Sequence, residues 1–309
     1  MPQAIITMDI LVQHNERSGQ LFALAGFAVL SCGDAVFKTM AGEASVIAVA
    51  AIRFILGAVM LSLLLALREG AGAFWPRSPW LQFARGAGVA FASLFFFSAI
   101  FVMPLAETMA ITFVAPILTA LLSGPLLGER VRRHVYLASF AALAGVLLIL
   151  RPNFEEYGLI AILPLGAAVC FSLVVIANRA SAGQGSALSM QVYMSVVSAV
   201  ILSLAAIAGH FSGLSALQVS VPDGTIFARC LAVACLASTA HYLIFVGTQR
   251  AGASAVSPMS YVQMVVATLL GWLLFGDLPD TMTYLGVAVI IASGLYLWTS
   301  GKATSQQVI

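Results

Sequence analysis

The chain has 309 residues, of which 61% are hydrophobic and only 8% are charged, and its formal net charge is +2. Soluble domains carry about 25% charged residues, so this chain has too little polar surface to cover a water-soluble globule. The near-neutral charge argues against a nucleic-acid partner, because that binding needs a basic stripe. The composition therefore predicts an integral membrane protein that lies in a lipid bilayer.

The chain divides into apolar runs of the length that crosses a membrane, which is ~20 residues. The polar stretch 1–19 lacks the basic region and apolar core of a cleaved signal, so the run after it is interpreted as a spanning helix. The connection at 103–105 is so short that reading its two neighbours as one helix would give nine spans instead of ten. The ten predicted spans are 20–38, 45–67, 80–102, 106–126, 135–150, 158–178, 187–208, 225–246, 254–275 and 282–299.

A segment of the first half is repeated in the second. The stretch 104–131, PLAETMAITFVAPILTALLSGPLLGERV, resembles the stretch 252–278, and the pairs Gly128/Gly276 and Tyr136/Tyr284 both keep an offset of 148. Self-similarity of this kind predicts two repeats, 20–151 and 152–300, with tails at 1–19 and 301–309. Chance similarity between Leu- and Ala-rich segments stays open as the alternative.

The charges of the connecting loops predict the orientation, because cytoplasmic loops carry the excess of Lys and Arg. On that rule both termini are cytoplasmic, in a multi-pass protein of the inner membrane. Each half has five spans, an odd number, so the second half enters from the opposite side, as in the inverted repeats of transporters. Loops predicted inside hold Arg17, Arg68, Arg77, Arg130, Arg132, Arg133, Arg179, Arg250 and Lys302. Loops predicted outside hold Glu43, Glu155, Glu156, Asp223, Asp277 and Asp280.

The sequence resembles the drug/metabolite transporter superfamily, specifically proteins built from two EamA domains. The resemblance is carried by the repeated segment above and by SYVQMVVATLLGWLLFGDLPDTMTYLGVAVIIASGLYL in the second half. It departs from the family pattern where Asp277 replaces a common Glu and Met264 takes the place of Pro116. The second-half proline lies earlier, at Pro258, so the two halves are not expected to break their helices symmetrically.

This resemblance implies an all-α membrane protein that carries a small organic metabolite, such as an amino acid, a vitamin or a nucleoside-like compound, by alternating access. It also implies a central cavity lined by spans one to four and six to nine, with spans five and ten at the periphery. Substrate identity, direction of transport and oligomeric state are left open by the sequence.

Ionisable residues within the spans are the first candidates for function, since each costs roughly 2.5–3.5 kcal/mol to insert. Asp34 and Lys38 are four residues apart in the order that favours a helical ion pair, which would be either structural or functional. Arg53 lies roughly 12 Å into the second span at ~1.5 Å per residue. That depth, near the midplane, favours a place in the cavity over a structural ion pair.

Four more residues complete the candidate substrate and transport site. Glu107 lies at the start of the fourth span. An acid at a helix N-terminus is stabilised by the helix dipole, so a capping role stays open beside a functional one. His241, beside Tyr242, would serve a helix contact or a proton relay. Gln263 is an amide near the middle of the ninth span, which requires a hydrogen-bonding partner or a substrate.

Other polar or aromatic residues are interpreted as structural. Glu129 and Asp277 stand beside glycine at the ends of spans, which favours loop structure. Phe95, Phe96 and Phe97 are consecutive and cannot all face one cavity, so most of them are expected to meet lipid or neighbouring helices.

The alternatives to a carrier are an intramembrane enzyme and a channel or non-transporting receptor. The spans lack HExxH, GxSxG and GxGD motifs, so no catalytic residue is predicted, and no nucleotide-binding loop is present. No cofactor or metal site is expected either, because the four cysteines lie in apolar runs without a CxxC pair. Coupling to a counter-substrate or to protons is open, and a proton would pass through Asp34 or Glu107, the carboxylates closest to the membrane interior.

Overall fold

The computed structural model describes residues 2–127, 133–181, 184–214, 217–219, 223–251 and 257–305. Short 3₁₀ helices lie at Ala71–Phe74, Gly158–Ile162 and Ser257–Tyr261, and the described residues contain no strand. The described α-helices are α1 Pro2–Lys38, α2 Val46–Glu69, α3 Pro79–Ile100, α4 Leu105–Thr112, α5 Ala115–Leu127, α6 Arg133–Tyr157, α7 Leu163–Ala180, α8 Ala187–Phe211, α9 Gly224–Ala251, α10 Val262–Phe275 and α11 Thr281–Ser305.

The prediction of an all-α protein is confirmed, and the apolar helical segments follow the predicted runs in order. Six described helical segments are long and apolar enough to cross a membrane, and four shorter apolar ones cover 105–119, 136–150, 259–275 and 281–296. The first helix begins at Pro2, well before the predicted start at residue 20. A helix continues into a polar segment because backbone hydrogen bonds need no apolar side chains.

The fourth predicted span is not one continuous helix. Helix α4 ends at Thr112 and α5 begins at Ala115, with Pro116 in the first turn of α5. Proline lacks a backbone N–H and clashes with the preceding turn, so it is best tolerated in the first turn of a helix, which is where Pro116 lies. In the ninth run a 3₁₀ turn that contains Pro258 precedes α10. The breaks therefore fall at different points in the two halves.

Helix packing is close where glycine faces a neighbouring backbone. Helices α6 and α11 pack on each other, and a Cβ at Gly145 would lie 2.8 Å from the Gly286 carbonyl oxygen. Helices α1 and α9 meet in the same way, because a Cβ at Gly26 would lie 2.8 Å from the carbonyl oxygen of Ala240. Small residues at such crossings are how membrane helices gain van der Waals contact. Further contacts join α2 to α8 and α3 to both α7 and α8.

The helix bundle has two ends, which are named here for Lys38 and Arg85. At the Lys38 end, α1 and α3 finish near each other, since Lys38 Nζ donates a hydrogen bond of 3.0 Å to the Met103 carbonyl. At the Arg85 end, the first turns of α3 meet the last turns of α7, because Arg85 Nε donates to Asn178 Oδ1 at 2.5 Å. The two ends are separated by the length of α3.

Candidate functional site

A cavity of about 420 Å³ lies among the helices and extends from their middle to the Arg85 end. That volume is within the range of roughly 300–1,000 Å³ that small-molecule sites occupy. Its lining comes from α1 to α5 and α7 to α10, with no described residue of α6 or α11, which matches the lining implied by the family resemblance. The polar lining residues are Asp34, Arg53, Arg85, Ser93, Thr112, Asn178, Gln191, Ser195, Ser238, His241, Ser260 and Gln263. The aromatic ones are Phe27, Phe54, Phe96, Phe97, Phe113 and Phe171.

Arg53 lies in this cavity with its charge incompletely satisfied. Its guanidinium carbon lies 4.6 Å from the ring centroid of Phe54 and 5.1 Å from that of Phe97. Among the described residues its buried Nε has no hydrogen-bond partner, and no carboxylate forms an ion pair with it. Cation–π contacts offset only part of the cost of removing a guanidinium from water. The residue therefore leaves a positive charge in the cavity that no described carboxylate pairs with directly.

The ion pair expected between Asp34 and Lys38 is not formed. Asp34 lines the cavity, whereas Lys38 Nζ lies 2.6 Å from Asp277 Oδ2 and 4.7 Å from the ring centroid of Phe275. Lys38 is the last residue of α1, so its long side chain reaches the segment that follows α10. Asp277, expected to serve loop structure, thus holds α1 to the end of α10.

The remaining predicted site residues divide between the cavity and its surroundings. His241 and Gln263 line the cavity, and Gln263 is the second residue of α10, not the middle of a long helix. Its backbone carbonyl accepts a hydrogen bond of 3.3 Å from the Ser31 hydroxyl. Tyr242 is 66% exposed and does not line the cavity, and Glu107, buried in the first turn of α4, does not line it either. Glu129 lies outside the described residues.

The aromatic run 95–97 does not face the cavity as a whole, as expected, but two of its three members line it. Phe96 and Phe97 are buried and line the cavity, and Phe97 stacks on Phe37 with a centroid distance of 3.8 Å. Phe95 packs toward Gly166 of α7. Helix α3 has α7 and α8 beside it and the cavity before it, so the three side chains of this run all meet protein or cavity.

Arg85 is a site residue that the sequence reasoning missed. It is only 5% exposed, and its Nη1 donates hydrogen bonds to the Gln82 side-chain oxygen and, at 3.3 Å, to the Met190 carbonyl. Its Nε bonds to Asn178, so its described partners are all neutral. A signal was present, because Arg85 falls inside the predicted span 80–102 and the cost of an intramembrane charge applies to it as it does to Arg53.

The Lys38 end carries a second ion pair that also links the two halves of the chain. Arg229 Nη1 lies 2.9 Å from both carboxylate oxygens of Glu43 and donates to the Thr39 carbonyl at 3.1 Å. None of the four side chains in these two ion pairs lines the cavity. The stacked rings of Phe37 and Phe97 lie between these ion pairs and Arg53.

The chain matches the family model of the EamA-like transporter family twice, over residues 17–151 and 158–299. A riboflavin transporter of Rhizobium johnstonii is 25% identical over 78% of this chain and 77% of its own length. An S-adenosylmethionine uptake transporter of Rickettsia bellii is 22% identical over 90% of this chain and 92% of its own. A protein of known crystal structure is 22% identical to this chain. The two match with a TM-score of 0.61 over 92% of this chain and 96% of the other, so they share the fold. With the family model covering nearly the whole chain, this multi-pass membrane protein is a transporter, not an enzyme, and belongs to the EamA-like transporter family.

Proposed function

We propose that this protein is a secondary transporter that moves a small organic metabolite across the inner membrane by alternating access. The observation that carries the proposal is the cavity between the helices, in which Arg53 and six phenylalanine rings surround a space of about 420 Å³. A cavity with apolar walls and a few convergent polar groups is the usual form of a small-molecule site.

The proposed architecture is ten spanning helices in two inverted repeats, 20–151 and 152–300, with both termini cytoplasmic. Helix contacts support it when α4 and α5 are counted as one span. Span one packs on span eight, and span three packs on span six. If each span is replaced by its counterpart in the other half, five spans away, the first of these contacts becomes the second and the second becomes the first. The contacts of span two with seven and of five with ten map onto themselves. A pseudo-two-fold axis relating the halves would produce this pattern.

In the proposed transport cycle the described conformation opens toward the cytoplasm. The loop charges put the Lys38 end outside, where the pairs Lys38–Asp277 and Arg229–Glu43 join the first half of the chain to the second. The cavity extends in the opposite direction, toward Arg85. Opening to the outside would require both pairs to break while the other end closes.

The proposed substrate is a vitamin-like or nucleoside-like metabolite with a planar ring, or an amino acid. The names of the riboflavin and S-adenosylmethionine transporters support this class. A ring would stack on the phenylalanines of the lining, and Arg53 would bind an anionic or zwitterionic group. Gln263 and His241 would supply hydrogen bonds, and Asp34 would take a proton or a cationic group.

Labelling of single cysteines tests the inverted topology. In a variant without the native cysteines, we expect Arg132→Cys to react with a membrane-impermeant reagent from the cytoplasmic face and Asp280→Cys from the outer face. Labelling of both from the same face would refute the inverted arrangement.

Transport is tested with ligands that a thermal-shift screen of metabolites selects, since a ligand stabilises the folded state it binds. We expect saturable counterflow of such a ligand in proteoliposomes. Binding without accelerated exchange would indicate a receptor, flux that rises linearly with concentration would indicate a channel, and chemical conversion of the ligand would indicate an enzyme.

A further inference from the structure

We infer that Arg85 forms a second anion-binding site in the cavity, distinct from Arg53 and suited to the carboxylate, phosphate or sulfonate group of an organic anion. This inference rests on the proposed transport function, because it concerns the path that the substrate takes toward the Arg85 end. It also narrows the substrate class, from a metabolite of any charge to one that carries a negative group.

The separation of the two arginines makes them separate sites. The Arg53 guanidinium lies against the ring of Phe97, and Arg85 stands twelve residues before Phe97 on α3. At ~1.5 Å per residue that is about 18 Å along the helix axis. One carboxylate or phosphate group is too small to contact both guanidinium groups at once.

The Arg85 side chain is held in place while its charge is left without a counter-ion. Asn178 holds Nε, and the Gln82 side chain and the Met190 carbonyl hold Nη1, all of them neutral acceptors. Among the described residues no carboxylate forms an ion pair with Arg85, and Nη2 makes no hydrogen bond. A buried charge of this kind is costly without a partner. With Nε and Nη1 held by these acceptors, the two N–H groups of Nη2 remain to donate hydrogen bonds to an anionic group.

A continuous face of α3 connects the two sites. Arg85, Val89, Ser93 and Phe96 follow each other at intervals of four, four and three residues, and all four line the cavity. Residues at that spacing share one face of a helix. The ionisable lining residues are Asp34, Arg53, Arg85 and His241. With Asp34 ionised and the histidine neutral, two arginines and one aspartate give a formal charge of 2 − 1 = +1, which favours an anionic solute.

The test measures how a thiol near Arg85 reacts with an anionic and a cationic reagent of similar size. The reporter is Ser195→Cys on α8, in full-length protein whose native Cys32, Cys170, Cys230 and Cys235 are replaced by alanine. Ser195 lines the cavity, and its neighbour Met194 has its carbonyl oxygen 3.2 Å from where a Cβ of Gly86 would lie. The reagents are the 2-sulfonatoethyl and 2-trimethylammonioethyl methanethiosulfonates, and each rate is divided by the rate with a small free thiol.

In the parent we expect the sulfonate reagent to react faster than the trimethylammonium reagent after normalisation. The ratio of the sulfonate rate to the trimethylammonium rate should fall on the order of tenfold in Arg85→Gln, as removal of one nearby charge predicts. Arg85→Lys keeps the charge and should keep most of the preference. Arg53→Gln removes the other cavity arginine, whose guanidinium lies against Phe97, about 18 Å from Arg85 along α3. This comparison variant should change the ratio much less than Arg85→Gln does.

The inference would be overturned if the ratio of sulfonate to trimethylammonium rates were the same in the parent and in Arg85→Gln. It would also be overturned if Arg53→Gln lowered this ratio as much as Arg85→Gln does. Gel filtration and thermal unfolding of each variant show whether it is folded, and Arg85→Met, which also removes the charge, replaces Arg85→Gln if that variant does not fold. Labelling requires no transport. A failure here is therefore distinct from a failure of the counterflow experiment.

Discussion

The cations at the Lys38 end and the cations of the cavity lie on different helices of one apolar bundle and are satisfied in different ways. Lys38, whose side chain is 11% exposed, meets the Asp277 carboxylate at 2.6 Å, and Arg229 meets Glu43 at 2.9 Å. Arg53 and Arg85 form no ion pair with a described carboxylate and are surrounded by rings, amides and a carbonyl. A cation with a carboxylate holds two helices together, whereas a cation without one leaves its charge in the cavity, where we propose that it meets a ligand.

The difference also separates stability from function. Removing one partner of a partly buried ion pair leaves the other charge uncompensated, so the folded state is weakened. Removing Arg85 leaves no described carboxylate uncompensated, so the main loss is expected in ligand binding. Removing Arg53 also takes its charge away from Asp34, which lines the same cavity, so its effect on folding has to be measured separately.

The largest effect is expected for Arg53→Met. Loss of a charged hydrogen-bonding group costs about 1.5–3 kcal/mol, so we expect kcat/KM for counterflow of the identified ligand to fall on the order of 100-fold, with normal insertion and gel filtration. Arg53→Lys should raise KM more than it lowers kcat, because the charge is kept and the bidentate geometry is lost. Arg250→Met, which removes an exposed arginine bonded to Ser18, is the matched control.

A double variant distinguishes binding from a structural role for Arg53. If the residue only balances Asp34, then Arg53→Met combined with Asp34→Asn should restore both folding and flux, because no unpaired charge is left. Normal substrate affinity in that double variant would contradict the binding role.

The next largest effect is expected for Lys38→Met, on stability. We expect the free energy of unfolding to fall by roughly 2 kcal/mol, below the range for a fully buried pair because the Asp277 side chain is 27% exposed. Adding Asp277→Leu should recover part of the loss, since the uncompensated carboxylate is removed with it. Thermal unfolding in detergent measures the stability of the parent, of each single variant and of the double variant. Strict additivity of the two substitutions would show that the pair is not coupled.

A smaller effect is expected for Asp280→Ala, which removes the cap of α11. Asp280 Oδ1 accepts a hydrogen bond of 2.7 Å from the Thr283 backbone amide, and the Thr283 hydrogen bonds lower the pKa of this carboxyl. Loss of such a cap costs about 1 kcal/mol. Because the folded pKa is depressed, the contribution is present above the unfolded value of about 3.9 and is lost as pH falls through the folded value. The difference in melting temperature between the parent and Asp280→Ala should therefore be constant near neutral pH and shrink below about pH 4.

The smallest effect is expected for Arg229→Gln, which breaks the more exposed pair at the Lys38 end. The side chains of Arg229 and Glu43 are 33% and 45% exposed, and exposed pairs contribute about 0–1 kcal/mol. The melting temperature in detergent should hardly change, and the small change should diminish further at high salt. A loss as large as that of Lys38→Met would show that burial does not set the strength of these pairs.

Much of the fold could be predicted because its signals are local. The ten apolar runs follow from hydropathy over ~20 residues, and Arg53 follows from its depth within one run. The break before Pro116 has a local signal too, because a proline in the middle of an apolar run kinks or interrupts a helix. Arg85 carries the same signal as Arg53, a charge inside a predicted span. Its partners could not be predicted, because they come from helices that are distant in the sequence.

By itself the sequence determined that the chain is helical and apolar, which of its runs are long enough to span a membrane, and that Arg53 lies deep within one of them. Only the tertiary structure decided which charges meet. Lys38 lies four residues from Asp34 in the chain, yet it pairs with Asp277, 239 residues away. Arg85 is held by Asn178, 93 residues away. Hydropathy and helical period act within a few turns of one helix, whereas the neutralisation of a charge depends on which helices pack together.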